Sequence, residues 1–197
     1  MFQLPANGSG REELLLQTPA AVSVDSWSPD GRFFAYTAAD AKGGSAIWAL
    51  PLEGGERKPM PILPDNFRAR QANFSPDARR IAYVSNESGR DEVYVRGFPA
   101  GEGKWLISSS GGTRPSWRRD GRELFYMSPE GMLMTVAIST AASGIRPGAA
   151  RPLFHTRGGD VYAAAADGNR FLMKAPIEDA SPPGINIVLN WPRQLRK

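Results

Sequence analysis

Hydrolytic chemistry on a serine needs three parts: a nucleophile on a strained turn, commonly Gly-x-Ser-x-Gly, a histidine base, and a carboxylate that orients it. The sequence holds one histidine, His155 in Leu153-Phe154-His155-Thr156, and the serines of Asn7-Gly8-Ser9-Gly10 and Gly43-Gly44-Ser45-Ala46 lack that spacing. With no partner motif, His155 reads as a structural residue ending an outer strand. Cysteine is absent, which excludes disulfides, thiolate metal sites and a cysteine nucleophile. Neither a glycine-rich nucleotide loop nor a His-Arg-Asp catalytic loop is present, so phosphoryl transfer has no machinery here. The expectation is no catalytic residue, no cofactor and no metal.

Binding chemistry is better represented. Arginines occur in Asp65-Asn66-Phe67-Arg68-Ala69-Arg70 and in Gly112-Thr113-Arg114. The planar guanidinium forks of Arg68, Arg70 and Arg114 suit bidentate capture of a carboxylate or phosphate. Four aspartates, Asp30, Asp77, Asp120 and Asp167, are spaced 47, 43 and 47 residues apart. That is too regular and too distant for a cation cage, and it suits turn formers beside Arg32, Arg79, Arg122 and Arg170. Trp27, Phe74 and Trp117 precede the first three aspartates by three residues. Their equivalent places make them packing residues and not a sugar-stacking set.

The elements that position these residues follow from the repeat. Trp27-Ser28-Pro29-Asp30-Gly31-Arg32-Phe33-Phe34-Ala35-Tyr36 recurs as Phe74-Ser75-Pro76-Asp77-Ala78-Arg79-Arg80-Ile81-Ala82-Tyr83 and as Trp117-Arg118-Arg119-Asp120-Gly121-Arg122-Glu123-Leu124-Phe125-Tyr126. A weaker copy runs from Ala164 through Asp167-Gly168 to Leu172. In each, an aromatic residue ends one strand, Asp-Gly turns the chain, and an apolar strand begins at once, which makes a hairpin. Third strands follow at 46–50, 92–96 and 132–136, and fainter fourth strands near 58–63, 104–107 and 152–155. A unit of this length with four strands is a propeller blade, and no helical periodicity is sustained over a dozen residues.

The expected fold is therefore an all-β propeller of about four four-stranded antiparallel blades, part of a larger ring. Blades are expected at 18–64, 65–110, 111–157 and, incomplete, 158–197, the last with a third strand at 185–190. Residues 1–17 hold an outer strand of a preceding blade or a ring-closing strand. The loops entering the inner strands would place Arg68, Arg70 and Arg114 on the central funnel.

Charge adds little. The net charge of +4 is interspersed along the chain, so nucleic acid is not an expected partner. No stretch approaches 18 uninterrupted apolar residues and no secretory signal opens the chain, so membrane insertion is not expected.

The Trp-Ser-Pro-Asp-Gly-Arg unit and its variants, with Asn86-Glu87-Ser88-Gly89-Arg90-Asp91-Glu92-Val93-Tyr94-Val95, resemble the TolB-like, WD-repeat-like β-propellers of bacteria. More narrowly, Gly103-Lys104-Trp105-Leu106-Ile107-Ser108, Gly111-Gly112-Thr113-Arg114-Pro115-Ser116-Trp117 and Ile187-Val188-Leu189-Asn190-Trp191 resemble the carboxy-terminal propellers of bacterial serine/threonine protein kinases. The resemblance implies a non-enzymatic interaction or sensing module, the carboxy-terminal part of a kinase-like parent, binding a protein or small anionic ligand through the funnel. It also allows a TolB-type cell-envelope scaffold, or the propeller cap of a prolyl-oligopeptidase-type peptidase. A membrane receptor kinase as parent would put the propeller outside the cytoplasm.

Overall fold

The computed structural model describes residues 1–39, 43–54, 57–63, 67–99, 103–141, 144–156 and 161–174. Among them there is no helix, and hence none long and apolar enough to cross a membrane. The expected strand at 185–190 and the tail motif at 187–191 lie outside the described residues.

The chain opens with a two-stranded ribbon, β1 (Phe2–Gln3) against β2 (Glu13–Leu14). The first sheet follows as β3 (Val22–Trp27), β4 (Phe33–Ala39), β5 (Ser45–Pro51) and β6 (Met60–Pro61), antiparallel in sequence order. The second repeats it with β7 (Ala69–Phe74), β8 (Arg80–Ser85), β9 (Glu92–Gly97) and β10 (Lys104–Leu106). The third has β11 (Thr113–Trp117), β12 (Glu123–Met127), β13 (Met132–Ala141), β14 (Gly144–Pro147) and β15 (Arg151–His155). A last hairpin joins β16 (Tyr162–Ala164) to β17 (Phe171–Met173).

The repeated aspartate builds the first hairpin of every unit. Asp30 Oδ1 accepts the Arg32 amide at 3.1 Å and the Ser28 hydroxyl at 2.6 Å, while the Gly31 amide closes onto the Ser28 carbonyl at 2.8 Å. Asp77, Asp120 and Asp167 accept the amides of Arg79, Arg122 and Asn169 at 3.1, 3.0 and 3.0 Å. The Ser28 hydroxyl, ahead of the Arg32 contacts, pulls the Asp30 carboxyl down to about 2. The arginine pairing differs from the expected one. Arg32 does reach Asp30 at 2.7 Å, but Arg79 and Arg122 contribute their amides, and the guanidiniums on Asp77 and Asp120 belong to Arg80 and Arg118.

Each strand alternates its side chains between two faces, and both faces of these sheets are apolar. Ala35, Ile47 and Ala49 of the first sheet meet Phe74, Ile81, Tyr83 and Tyr94 of the second, with Phe98 wedged edge-on between Phe33 and Phe74 at 4.9 Å from each. On the far side of the second sheet, Ala82, Val84, Val93 and Val95 pack on Trp117, Leu124, Tyr126 and Val136. Phe125, Met127 and Leu133 then pass the third sheet's other face to Tyr162 and Phe171.

The third sheet departs from the others. β13 pairs with β15 through its first half and with β14 through its second, so the strand expected at 132–136 runs on to Ala141 and turns back on itself. Ile138 and Ile145 of this extra hairpin join the core beside Trp105, and a Cβ at Gly144 would collide with the Trp105 ring. The hairpin thereby clamps the outer strand of the neighbouring sheet.

Trp27 is a correction. The inner-strand aromatics face the preceding sheet, which buries Phe74 and leaves Trp117 9% exposed, but Trp27 is 50% exposed. The face it shares with Phe34 and Tyr36 is covered only by Met1, Leu15 and Leu16 among the described residues. Truncating Trp117 to alanine should thus cost about 3–5 kcal/mol and truncating Trp27 under about 1.5 kcal/mol, as read by denaturant melts. Equal losses would contradict the packing. Ala78 holds φ +55° where the other three units place glycine. Ala78→Gly should raise stability by about 1 kcal/mol, and a loss would contradict the turn assignment.

Candidate functional site

The inner strands β3, β7 and β11 belong to different sheets, so no ladder joins them. Each instead carries a β-bulge at the same place, with register breaks between Val24 and Ser26, Arg70 and Asn73, and Thr113 and Ser116. Gln71 and Arg114 adopt left-handed φ values of +59° and +55° within these bulges, which costs roughly 1–2 kcal/mol each.

That backbone geometry turns amides toward the previous strand. The Arg114 amide donates to Gln71 Oε1 at 2.8 Å, and the Ala72 amide donates to the Asp25 carboxylate. At the ends of the same strands, Phe74 N donates to Ser26 Oγ at 3.2 Å, and the Trp117 indole donates to the Asn73 carbonyl at 3.2 Å. The Tyr162 hydroxyl extends the series by donating to the Arg114 carbonyl at 2.7 Å. Side chains of one bulge thus receive the backbone of the next.

The first two bulges border an open cavity of about 370 Å³, lined among others by Asp25, Thr37, Ser45, Arg70 and Gln71. Asp25 Oδ2 accepts the Thr37 hydroxyl at 2.6 Å. Burial nevertheless pushes the carboxyl up to about 6, against the opposing pull of Thr37 and the Ala72 amide. Arg70 reaches Asp91, and Arg68 approaches the other oxygen of the same carboxylate at 3.4 Å. Two guanidiniums share one carboxylate at the cavity edge, and the Asp25 carboxyl lines the same cavity.

The three expected arginines are therefore not one cluster. Arg68 and Arg70 converge on Asp91, Arg70 alone of the three lines the cavity, and Arg114 is joined to it through its amide on Gln71. Asp25, Gln71 and Asp91 were not among the sequence candidates. Asp25 had a signal, being a carboxylate set inside an otherwise strand-like Val22–Trp27. His155 lies exposed on β15 at the outer edge. Among the described residues no three ligating side chains gather as a metal site. The arrangement can bind and orient charged or polar groups.

No family model matches the chain. Tricorn protease homolog 1 of Streptomyces coelicolor is 32% identical over 99 residues, 49% of this chain and 8% of that protein. The Tol-Pal system protein TolB of Xanthomonas oryzae is 33% identical over 76 residues, 38% of this chain and 17% of that protein. The crystal structure of TolB from Acinetobacter baumannii aligns with a TM-score of 0.61 at 18% identity, covering 84% of this chain and 40% of that one. The fold is that of a TolB-like β-propeller. The chain spans less than a fifth of the length of the two sequence relatives.

Within this fold, Asp25 makes stability pH-dependent in a defined sense. Its folded pKa of about 6 exceeds the ordinary 3.8, so the folded state binds more protons and stability falls as pH rises from about 4 to about 6. Asp25→Asn should remove that slope, raising the melting midpoint at pH 8 relative to the parent chain and converging with it below pH 4. Parallel melting curves across the whole range would contradict a buried, reluctantly ionised Asp25.

Proposed function

We propose that this chain is a section of a β-propeller that acts as a non-catalytic interaction module, holding an acidic segment of a partner protein at the inner-strand cavity. The observation that carries the reading is Arg68 and Arg70 sharing Asp91 beside the 370 Å³ cavity. An incoming carboxylate has a guanidinium to take over from Asp91 and the Gln71 amide to donate to it, while Asp25 can donate only where it is protonated, below about pH 6. A small anion bearing the same group would use the same contacts.

Two parents fit the comparisons. A TolB-type scaffold is supported by the relative that is a Tol-Pal system protein, and a propeller attached to a peptidase is supported by the tricorn protease homologue. Both likenesses recur in the backbone, and we favour the scaffold reading because the TM-score is 0.61 with TolB against 0.50 with tricorn protease. Any peptidase chemistry would come from another domain. The kinase-like parent rests on residues 103–117 and 187–191 alone.

The test is calorimetric titration with an amidated tetraglutamate peptide and, separately, inorganic phosphate. Binding of the peptide should weaken at least tenfold in Arg68→Ala with Arg70→Ala, whereas Arg114→Ala, which keeps the backbone amide on Gln71, should change it little. Binding that survives the double substitution, or no binding by the parent chain, would eliminate the anion site.

A further inference from the structure

The third strand of each four-stranded unit meets the first hairpin in the same way, and in the third sheet it then does something the others do not. The Leu52 amide donates to the Arg32 carbonyl and the Phe98 amide to the Arg79 carbonyl, and neither β5 nor β9 extends beyond that point. The Ile138 amide donates to the Arg122 carbonyl at 2.7 Å in the equivalent place, but β13 runs on to Ala141 with β14 along one side. The other side is open. β12 starts at Glu123, opposite Ala137, and the Arg122 amide turns back to the Asp120 carboxylate.

The alternation of an antiparallel ladder fixes which backbone groups face that open side. Gly148 N donates to the Ala137 carbonyl, so Ala137 and Ser139 turn their peptide groups toward β14. Pro147, which has no N–H to offer, stands opposite Ile138. The peptide groups of Ile138 and Thr140 therefore face away from β14. Only the Ile138 amide is taken up there, and the Ile138 carbonyl and both groups of Thr140 have no partner among the described residues. A row of this kind is a template for another strand.

Space lies along the edge on both faces. A cavity of about 350 Å³ toward the second sheet is walled by Trp117 and Ile145, and a hollow of about 550 Å³ continues over Ser139 and Arg146. Arg122, Ile138 and Thr140 line both. The carboxylates of the first cavity are already engaged, Asp77 by Arg80 and Asp120 by Arg118. Arg122 and Arg146 are exposed, and no carboxylate among the described residues pairs with either guanidinium.

We propose that the open edge of β13 takes a short extended segment of a partner polypeptide by strand addition, one that alternates apolar and acidic side chains. Its backbone pairs with the Ile138 carbonyl and with the amide and carbonyl of Thr140, which supplies affinity without regard to sequence. Its apolar side chains enter the cavity at Ile145, and its carboxylates meet Arg122 and Arg146. Edge-to-edge pairing with a second copy of this chain would set these arginines against their own counterparts, so the fitting occupant is a different, acidic polypeptide. The edge belongs to the third sheet, away from Arg68 and Arg70, and does not rest on the anion reading.

The test is an NMR titration of the chain with acetyl-Val-Glu-Val-Glu-Val-amide, read at the Thr140 amide, which should shift and gain protection from exchange. In an added strand alternate backbone nitrogens face β13 and solvent. N-methylating the first set should weaken binding roughly tenfold, and N-methylating the second should leave it unchanged. Lysine in place of glutamate, or Arg122→Gln with Arg146→Gln, should also weaken it roughly tenfold. Thr140→Pro, which removes the edge amide and no bond to β14, should do the same with the melting midpoint preserved. Arg68→Ala with Arg70→Ala should not alter the Thr140 response, which separates this edge from the anion site. Equal effects of the two methylation patterns, undiminished binding of the lysine peptide, a silent Thr140 amide, or sedimentation showing that a second copy occupies the edge would overturn the proposal.

Discussion

A sheet whose two faces are both apolar cannot stand by itself, and that constraint governs this chain. Ala82, Val84, Val93 and Val95 point one way from the second sheet, and Ile81, Tyr83 and Tyr94 point the other, with all of them buried. Each large side chain taken out of water contributes roughly 1.5–3 kcal/mol. Neither set can be covered by its own sheet. The neighbours must supply the cover, so the units stack face to face, and stability passes along the array from one interface to the next. The inner-strand bulges follow from the same demand. Strands from different sheets meet at the centre without a ladder, and the amides freed by each bulge are taken up by Asp25 and Gln71 of the strand before.

The same constraint shows at the ends of the array. Val24 and Leu172, at 69% and 78% exposed, sit on the outward faces of the first and last sheets. The β1–β2 ribbon brings Met1 and Leu15 onto the first of these faces but leaves Trp27 half in water. Exposed apolar surface of this kind belongs against another sheet, in keeping with the proposal of a section within a larger ring. The 370 Å³ cavity lies at the inner margin of the cleft between the first and second sheets.

Much of the sheet architecture was legible because it is written locally and repeatedly. Asp-Gly, or Asp77-Ala78 in the second unit, fixes a turn within four residues, and short apolar runs fix the strands that follow, so the hairpins at Asp30, Asp77 and Asp120 could be read one unit at a time. What was hidden depends on partners far along the chain. The extension of β13 into a second hairpin depends on Trp105, some forty residues before Gly144, for something to pack upon. The half-exposed state of Trp27 depends on what covers its sheet, which its own sequence does not encode. The site was less legible than the fold. Arg68 and Arg70 could be placed at the mouth of an inner strand, but their convergence on Asp91 joins the start of β7 to the turn before β9. Asp25 looked like one polar residue in a strand, and its role emerges only once Ala72 and Thr37 are brought beside it.

The central claim is that side chains and backbone of successive inner strands lock the sheets together. Native-state hydrogen exchange reads that lock directly at the amides of Ala72, Phe74 and Arg114, which donate to Asp25, Ser26 and Gln71 of the strand before. The account predicts that these three amides exchange as slowly as those at the centres of β8 and β12, through global opening only. Exchange at the rate of the exposed turns, with β8 and β12 still protected, would mean that each sheet stands alone and would contradict it.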